Sequence, residues 1–371
     1  MFSFGVYARA CVRARGHRTE RIASSLLLAL ACAVVAGPTG ALGAPAARLQ
    51  AFVLAGAPDS LADLQAHGQE IGVVYPTLFA CDLGTGRITD EGGQATVDGS
   101  RVSIDAFAKS NGIEVMPRFD CQDGHTVHVI LTDPFVRAQV LAGLVRIAEA
   151  PADAGVNLDF ENDGPGDRGA LSSFVGTLAK TLHRHGRKLS VDVDGVARED
   201  VSIGTGFYDD RALAAAADYV FVMAWGTHWE GSAPGPIAPS TYVAAVARYL
   251  ASLPNARRFV LGVPMYGLDW PVPAGEGPSA GGGRAGHATA SALRYANVVA
   301  LARSVGADPS QDPEVDEPTF SYRRGGVEHQ VWYMDAQSIA DRLRIAQTYG
   351  LRAGLWRLGG EDQALWSSPF A

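Results

Sequence analysis

Three polar residues alternate with apolar residues in the segment GVNLDFE, residues 155–161. Residues two apart in a strand share a face, with Cα atoms about 6.6 Å apart, so Asn157, Asp159 and Glu161 would point the same way. Neighbouring buried carboxyls repel, and one of them tends to keep a proton near neutral pH. Asp159 and Glu161 therefore predict general acid catalysis with Glu161 as proton donor. The alternative is a solvated strand end, but Asp159 lies inside the strand and would need a partner there.

Eight short apolar runs recur from residue 50 onward, and segments of helical periodicity separate most of them. Alternating strands and helices predict parallel strands joined by right-handed crossovers, and eight such units indicate a (β/α)8 TIM barrel. A doubly wound open sheet is the alternative, but no GxGxxG follows the first strand. In the barrel, Glu161 ends the fourth strand, at the face where barrel active sites lie. The runs are 51–55, 71–79, 113–119, 155–160, 188–194, 219–225, 259–267 and 352–359.

The connection between the seventh and eighth predicted strands is much longer than one helix requires. It contains a Gly/Ala-rich stretch at 274–290, then a segment of helical periodicity, then the β-rich runs TFSY and HQVWY on either side of Gly-Gly. Two such runs about a Gly-Gly turn indicate a hairpin. We predict a small α+β insertion at about 272–335 within a barrel that spans 44–371. An ordinary long loop is the alternative.

Residues 1–43 have the pattern of a secretory signal peptide. Five arginines precede an apolar run of 15 residues at 22–36, and small residues follow up to Gly43. The run is short for a membrane span, although a retained N-terminal anchor is an alternative. We expect export to the periplasm or the medium, without stable membrane insertion. Lipid anchoring at Cys32 is not expected, because Ala29 stands where a lipoprotein box prefers Leu.

The charge of the chain argues against several classes of partner. The net charge is −8, and loss of residues 1–43, which carry five Arg and one Glu, would make it −12. Acidic proteins are poor ligands for nucleic acids and anionic membranes, so a neutral polymer is the better candidate partner. The nine histidines are scattered, and neither HExxH nor CxxC occurs. We therefore predict neither a metal site nor a cofactor. The oligomeric state stays open.

The segment GVNLDFE resembles the DGxDxDxE signature of glycoside hydrolase family 18, the chitinase-like barrels. VMAWGTHW, residues 222–229, is similar to the family's MAYDxHW in the sixth strand. LGVPMYGLDW (261–270) and AGLWRLGGED (353–362) resemble the patterns of the seventh and eighth strands. Residues 320–338 resemble the insertion of a branch that includes bacterial spore-cortex and peptidoglycan N-acetylglucosaminidases. The resemblance covers most of the chain after residue 43.

The resemblance implies an exported glycosidase acting on β-1,4-linked N-acetylglucosamine in peptidoglycan or chitin-type polysaccharides. Glu161 would protonate the glycosidic oxygen, and the substrate's own 2-acetamido carbonyl would be the nucleophile, with net retention. Asp159 would orient the acetamido group and share a proton with Glu161. Asn157, Tyr266 and Trp356 are implied substrate-binding residues, with Trp356 as the floor of the reacting subsite.

Three residues depart from the family pattern. Asn157 stands where many chitinases have the first Asp, although Asn looks normal there in the spore-cortex branch and its amide can still hydrogen-bond Asp159. Trp225 replaces a Tyr that donates to the acetamido oxygen, and Gly226 replaces the Asp that follows it. The indole N–H of Trp225 can still donate, so Trp225 is also a candidate substrate-binding residue. The departures leave a second hypothesis open, a barrel of the same fold that binds glycans with weak or no catalysis. An unrelated barrel enzyme is a third, and it would make the four motif matches a coincidence.

The tryptophans provide separate evidence for a sugar site. Trp225, Trp229, Trp270 and Trp356 fall at the C-terminal ends of the predicted strands six, seven and eight. Indole rings stack on the C–H faces of sugars, so we predict a sugar groove at this mouth of the barrel. The alternative is that each Trp is an ordinary large core residue.

Two further pairs of residues have candidate roles at the same face. Cys81 and Cys121 follow the neighbouring second and third strands, and two cysteines in an exported protein favour a disulfide. Two buried thiols are the alternative. Asp192 and Asp194 alternate on the fifth strand and either line the groove or form a polar strand end.

Overall fold

Parallel strands close into a barrel in the computed structural model, and the predicted fold class is confirmed. The structure describes residues 48–161, 164–198, 206–272 and 289–367, all within the unit Ala47–Ala371. The predicted signal peptide and Cys32 lie outside the described residues. The strands are β1 (Leu49–Leu54), β2 (Ile71–Cys81), β3 (Ile88–Asp90), β4 (Glu114–Val115), β5 (Arg118–Cys121), β6 (Gly155–Phe160), β7 (Lys188–Asp194), β8 (Tyr219–Met223), β9 (Phe259–Pro264), β10 (Gly267–Val272), β11 (Ser291–Leu293), β12 (Ser310–Asp312), β13 (Glu317–Arg324), β14 (Val327–Tyr333) and β15 (Arg352–Trp356).

Eight of these strands form the barrel, in the order β1, β2, β5, β6, β7, β8, β9 and β15. Every neighbouring pair is parallel, and β1 pairs with both β2 and β15, which closes the ring. Residues Leu158 and Phe160 of β6 point outward into the apolar layer beneath the helices, as the alternation predicts. Inside the barrel, Phe221 packs against Phe52 and Tyr75.

Helices cover the outer face of the barrel. Helix α4 begins at Pro134 and is capped by Asp133, whose side chain accepts from the N–H groups of Phe135 and Val136. Helix α3 precedes it, and Pro134 separates the two because proline has no N–H with which to continue the hydrogen bonds of α3. The helices are α1 (Pro58–His67), α2 (Gln94–Asn111), α3 (Gly124–Thr132), α4 (Pro134–Ala148), α5 (Arg168–Arg184), α6 (Asp210–Ala216), α7 (Ser240–Ala251), α8 (Tyr295–Val305) and α9 (Ala336–Thr348).

No single helix of the described residues is long and apolar enough to cross a membrane. Helices α3 and α4 pass that test as a pair, by length and composition only, with a bend of 96° between them.

The third predicted strand, 113–119, is divided in the structure. Its first part is β4, and its second part is β5, which continues to Cys121. Pro117 lies between them and has no N–H to donate to a neighbouring strand. The correction matters for function, because the extension adds Asp120 to a strand that already carries Arg118.

The connection between β9 and β15 forms a second, antiparallel sheet with the order β11-β10-β14-β13-β12, together with helix α8. The predicted hairpin is β13 and β14, and Gly325 and Gly326 turn it with φ of 58° and 83°. Such positive φ values are those that a type I′ turn requires. The sheet begins at Gly267, because the chain leaves the barrel after Pro264 and pairs with β14.

Candidate active site

A cavity of about 880 Å³ opens at the carboxyl ends of the barrel strands. Asp159 and Glu161 line it from the end of β6, and Asp192 and Asp194 line it from β7. The inserted unit forms part of the wall through β11 and the start of α8. The fold therefore gathers acids that are remote in sequence in one cavity, which is bounded partly by the insertion.

Glu161 follows the last residue of β6 and is half-buried. Its backbone N–H donates to the carbonyl oxygen of Cys121 at 3.0 Å, and its Oε1 accepts from Nε2 of Gln122 at 3.0 Å. Burial, with the negative charge of Asp159, raises the pKa of Glu161 to about 8, although Arg118 acts in the opposite direction. Glu161 therefore carries a proton at neutral pH, as a general acid must.

Asp159 is buried and held on one side only. Its Oδ2 accepts from Nε of Arg118 at 2.7 Å and lies 2.6 Å from Nη2 of the same side chain. The other oxygen, Oδ1, is buried and has no hydrogen-bond partner in the described part of the chain. Buried polar atoms without a partner are rare and costly, so Oδ1 is available to a ligand or a proton.

Arg118 is the functional residue that the sequence analysis missed. It lies on β5 with 3 % of its surface exposed and also donates from Nη2 to Oδ1 of Asp120 at 2.8 Å. Burial raises the pKa of Asp120 to about 7, against the lowering effect of Arg118. Arg118, Asp120 and Gln122 alternate along the chain and could have indicated a polar strand face. The predicted strand ends at Phe119, so the alternation was not recognised.

The carboxylate oxygens of Asp120, Asp159 and Glu161 lie within 4.8 Å of one another, a spacing that could hold a metal ion. Arg118 already pairs with two of the three. The guanidinium of Arg118 therefore already provides the positive charge that a metal ion would otherwise bring to these carboxylates.

Asn157 lies beneath the cavity and does not line it. It is fully buried, and its Nδ2 donates to Oδ1 of Asp192 at 2.7 Å and to Oγ of Ser190 at 3.2 Å. The sequence analysis predicts substrate contact for Asn157, but its side chain points into the barrel interior and contacts β7. Burial raises the pKa of Asp192 well above its ordinary value, and the charge of Asp159 raises it further.

Trp225, Trp229 and Trp356 line the cavity together with Tyr266. The ring of Trp356 packs against Phe52, 4.9 Å between centroids, and the guanidinium of Arg118 lies 5.5 Å from the ring centroid of Trp356. Trp356 thus presents an aromatic ring to the cavity next to Arg118, the partner of Asp159.

Trp270 was wrongly expected at the barrel mouth. It belongs to β10 and is buried in the inserted unit, with Leu268 and Trp332 as neighbours. The run 259–267 reads as one strand in the sequence, but the chain changes sheets after Pro264.

Gly226 follows β8 with φ of 82°, a conformation that favours glycine. Its N–H donates to the carbonyl oxygen of Ile237 at 2.9 Å. Asp194, whose register partner on β8 is Met223, brings a carboxyl group into the cavity from the adjacent strand. Burial and the charge of Asp159 raise the pKa of Asp194 to about 6.

Cys81 and Cys121 form the predicted disulfide, with Cα atoms 5.2 Å apart. The bond joins the carboxyl ends of β2 and β5. It therefore links the loops that begin next to Gln122, the hydrogen-bond partner of Glu161.

Comparison with known proteins places this barrel in a family. The model of glycosyl hydrolases family 18 matches residues 94–360. The putative sporulation-specific glycosylase YdhD of Bacillus subtilis is 29% identical over 234 residues, 62% of this chain and 53% of the relative. The cortical fragment-lytic enzyme of Bacillus anthracis is 27% identical over 62% of this chain and 52% of its own length. The present chain thus spans about half the length of these relatives.

Among solved structures, a chitinase from Chromobacterium violaceum aligns with a TM-score of 0.74 and 27% identity, over 86% of this chain and 97% of the chitinase. The family model runs from the start of α2 to just after β15 and includes Asp159 and Glu161. The protein belongs to glycosyl hydrolases family 18.

Proposed function

We propose that the protein hydrolyses β-1,4-linked glycans that contain N-acetylglucosamine, with Glu161 as the general acid and base. The observation that carries this proposal is the environment of Glu161. Burial and Asp159 keep it protonated near neutral pH at the end of a barrel strand, in a cavity of about 880 Å³. The names of the relatives, a glycosylase, a cortical fragment-lytic enzyme and a chitinase, support this substrate class.

In the proposed reaction, protonated Glu161 donates its proton to the glycosidic oxygen as the bond to the anomeric carbon breaks. The carbonyl oxygen of the substrate's 2-acetamido group attacks that carbon and forms an oxazolinium ring. The unpartnered Oδ1 of Asp159 is the acceptor available for the acetamido N–H. Water then attacks the anomeric carbon while the carboxylate of Glu161 takes its proton. The bond between the anomeric carbon and the acetamido oxygen breaks, which restores the acetamido group with net retention.

Arg118 would keep Asp159 fixed during these steps. Both contacts of Arg118 are with Oδ2 of Asp159, so Oδ1 of Asp159 stays available to the ligand. The indole N–H of Trp225 would bond the acetamido oxygen, and Trp356 would support the sugar ring. A preorganised carboxylate needs no reorientation when positive charge develops on the acetamido nitrogen.

We further propose that the protein is exported through its N-terminal segment. The disulfide between Cys81 and Cys121 supports this, because such bonds persist in oxidising compartments. Recovery of the full-length form alone from the cytoplasm of its native host would contradict export.

The direct test is glycan cleavage by the wild type beside Glu161→Gln. Chitooligosaccharides and peptidoglycan glycans are incubated with each, and released sugars are measured. We expect Glu161→Gln to lower turnover by about 10²–10⁴-fold, the range for general acid catalysis, while glycan binding persists. The matched control is Glu328→Gln, at an exposed position outside the cavity.

Two results would contradict the proposal. Equal turnover by Glu161→Gln would show that another group donates the proton. Binding without release by the wild type, on every glycan tried, would favour the glycan-binding barrel. A substrate lacking the 2-acetamido group should not be cleaved if that group is the nucleophile.

A further inference from the structure

Two arginines line the cavity across the barrel from the acids. Arg357 follows β15, which is four strands away from β6 in either direction round the ring. The side of the mouth that carries Arg357 therefore faces the side that carries Glu161. Arg294, which directly precedes α8 in the insertion, lines the same cavity.

Arg357 is a cation that the described residues leave unpaired. Its Nη1 is buried and has no hydrogen-bond partner, and no carboxylate of the described residues forms an ion pair with it. Burial lowers the pKa of Arg357, and the positive charge of Arg294 lowers it further. A half-buried guanidinium beside a second cation is costly unless an anion binds there.

Arg294 is fixed next to Arg357 by the way the insertion meets the barrel. It forms an ion pair with Asp59, and the N–H of Tyr295 donates to the carbonyl oxygen of Gly360 at 2.9 Å. Asn297, in the first turn of α8, lines the cavity at the same place and adds amide donors. Asp59 is the carboxylate that pairs with Arg294. Glu230 also lines the cavity, but within the described residues it forms no ion pair with either arginine. The two arginines therefore carry one positive charge more than their paired carboxylate.

We propose that Arg357 and Arg294 bind a carboxylate carried by the glycan. Guanidinium groups bind carboxylates through paired N–H donors, with a geometry that a neutral sugar hydroxyl cannot match. This proposal rests on the proposed function and narrows its substrate class. The substrate is an N-acetylated amino-sugar glycan with carboxylates, as the muramic acid residues of peptidoglycan supply, rather than a neutral chitin-type chain.

The carboxylate has two chemical sources in such a glycan. It is the lactyl group of a muramic acid residue when no peptide is attached, or a carboxylate of the stem peptide when one is. Both would reach the arginines as an anionic substituent on the sugar next to the cleaved bond. The experiment separates the two sources by ligand.

Binding is measured by titration calorimetry with Glu161→Gln as the background, so that no ligand is consumed. The ligands are a chitotetraose, a peptidoglycan tetrasaccharide without stem peptides, and the same tetrasaccharide with them. We expect Arg357→Gln to weaken binding of an anionic ligand by about 10-fold more than binding of chitotetraose, the scale of one charged hydrogen bond. Arg323→Gln removes an exposed charge far out on β13 and is the matched control, expected to change no affinity.

Loss confined to the stem-free ligand identifies the lactyl carboxylate, and loss confined to the stem-bearing ligand identifies the peptide. Equal losses on all three ligands, or no loss on either anionic ligand, would overturn the proposal. Because binding is read without turnover, an inactive wild type would contradict the proposed function and leave this result intact. Conversely, turnover of chitotetraose without anion preference would contradict only the present inference.

Discussion

In the described part of the chain, two arginine–carboxylate pairs have both side chains buried, and they differ in what surrounds them. Arg342 of α9 and Glu317 of β13 are both 0 % exposed and lie 3.4 Å apart. Arg342 also donates to three backbone carbonyl oxygens, and Glu317 accepts from the N–H groups of Ile237 and Ala238 at 2.7 and 2.6 Å. This pair joins the insertion to the barrel with its hydrogen bonds filled.

The pair of Arg118 and Asp159 is equally buried but incomplete. Oδ1 of Asp159 has no partner within the described residues, and neither does Oδ1 of the nearby Asn157. Satisfied buried networks rigidify a fold, whereas unsatisfied acceptors raise its free energy until something binds. The comparison indicates that the first pair serves structure and the second serves the ligand.

The largest expected effect is on stability, from Arg342→Met. Removing one partner leaves Glu317 buried without its counter-charge, and such breaks cost about 3–5 kcal/mol. We expect the free energy of unfolding, measured by urea denaturation, to fall by that amount. Arg344→Met, at an exposed site on the same helix, should change it by less than about 0.5 kcal/mol. If Arg342→Met were as stable as the wild type, the pair of Arg342 and Glu317 would not stabilise the fold.

Arg118→Met should act mainly on catalysis. Loss of the contacts that position Asp159 should lower kcat by about 10²-fold, the scale of a misplaced reacting group. The basic limb of the pH profile should move to higher pH, because the positive charge that lowers the pKa of Glu161 is gone. Arg118→Lys should return the basic limb close to its wild-type pH but restore kcat only in part. Lysine keeps the positive charge but cannot hold Asp159 through two N–H donors of one guanidinium.

The free energy of unfolding of Arg118→Met shows whether Arg118 differs from Arg342 in its role. We expect the free energy of unfolding, measured in urea, to fall less for Arg118→Met than for Arg342→Met. Asp159 borders an open cavity, where a proton or solvent can compensate its unpaired charge. A loss of stability as large as that of Arg342→Met, with an unmoved pH profile, would make Arg118 another structural residue.

The smallest effect is expected from Asp194→Asn. The negative charge of Asp194 raises the pKa of Glu161, but it does so less than Arg118 lowers it. Removing it should therefore move the basic limb to lower pH, by less than Arg118→Met moves it upward. The pH dependence of kcat/KM of Asp194→Asn and Arg118→Met measures how far each basic limb moves. If both limbs moved in the same direction, the charges of Asp194 and Arg118 would not set the pKa of Glu161.

Sequence patterns predicted the barrel because alternation and helical periodicity are local properties. The position of Glu161 at a strand end followed from the same alternation in β6. The ion pair of Arg118 and Asp159 joins two strands, and its detection needs the register of β5 on β6, which no local pattern provides. The change of sheet after Pro264 was missed for the same reason, and with it the burial of Trp270.

Net charge was also an incomplete guide to the partner. A total of −8 favours a neutral polymer as ligand, but it averages over the whole surface. Arg294 and Arg357 are 63 residues apart in sequence, and only the fold brings them to one cavity. A local positive site in an acidic protein is visible only once the insertion and β15 are placed together.

Burial and the negative charge of Asp159 hold Glu161 in its protonated form at neutral pH. The most direct measurement is the pH dependence of kcat/KM of the wild type, which reports the ionisations of the free enzyme. We expect activity to persist through neutral pH and to fall above a basic limb near pH 8, the pKa of Glu161. A basic limb near 4.5, the ordinary value for a glutamate, would contradict it.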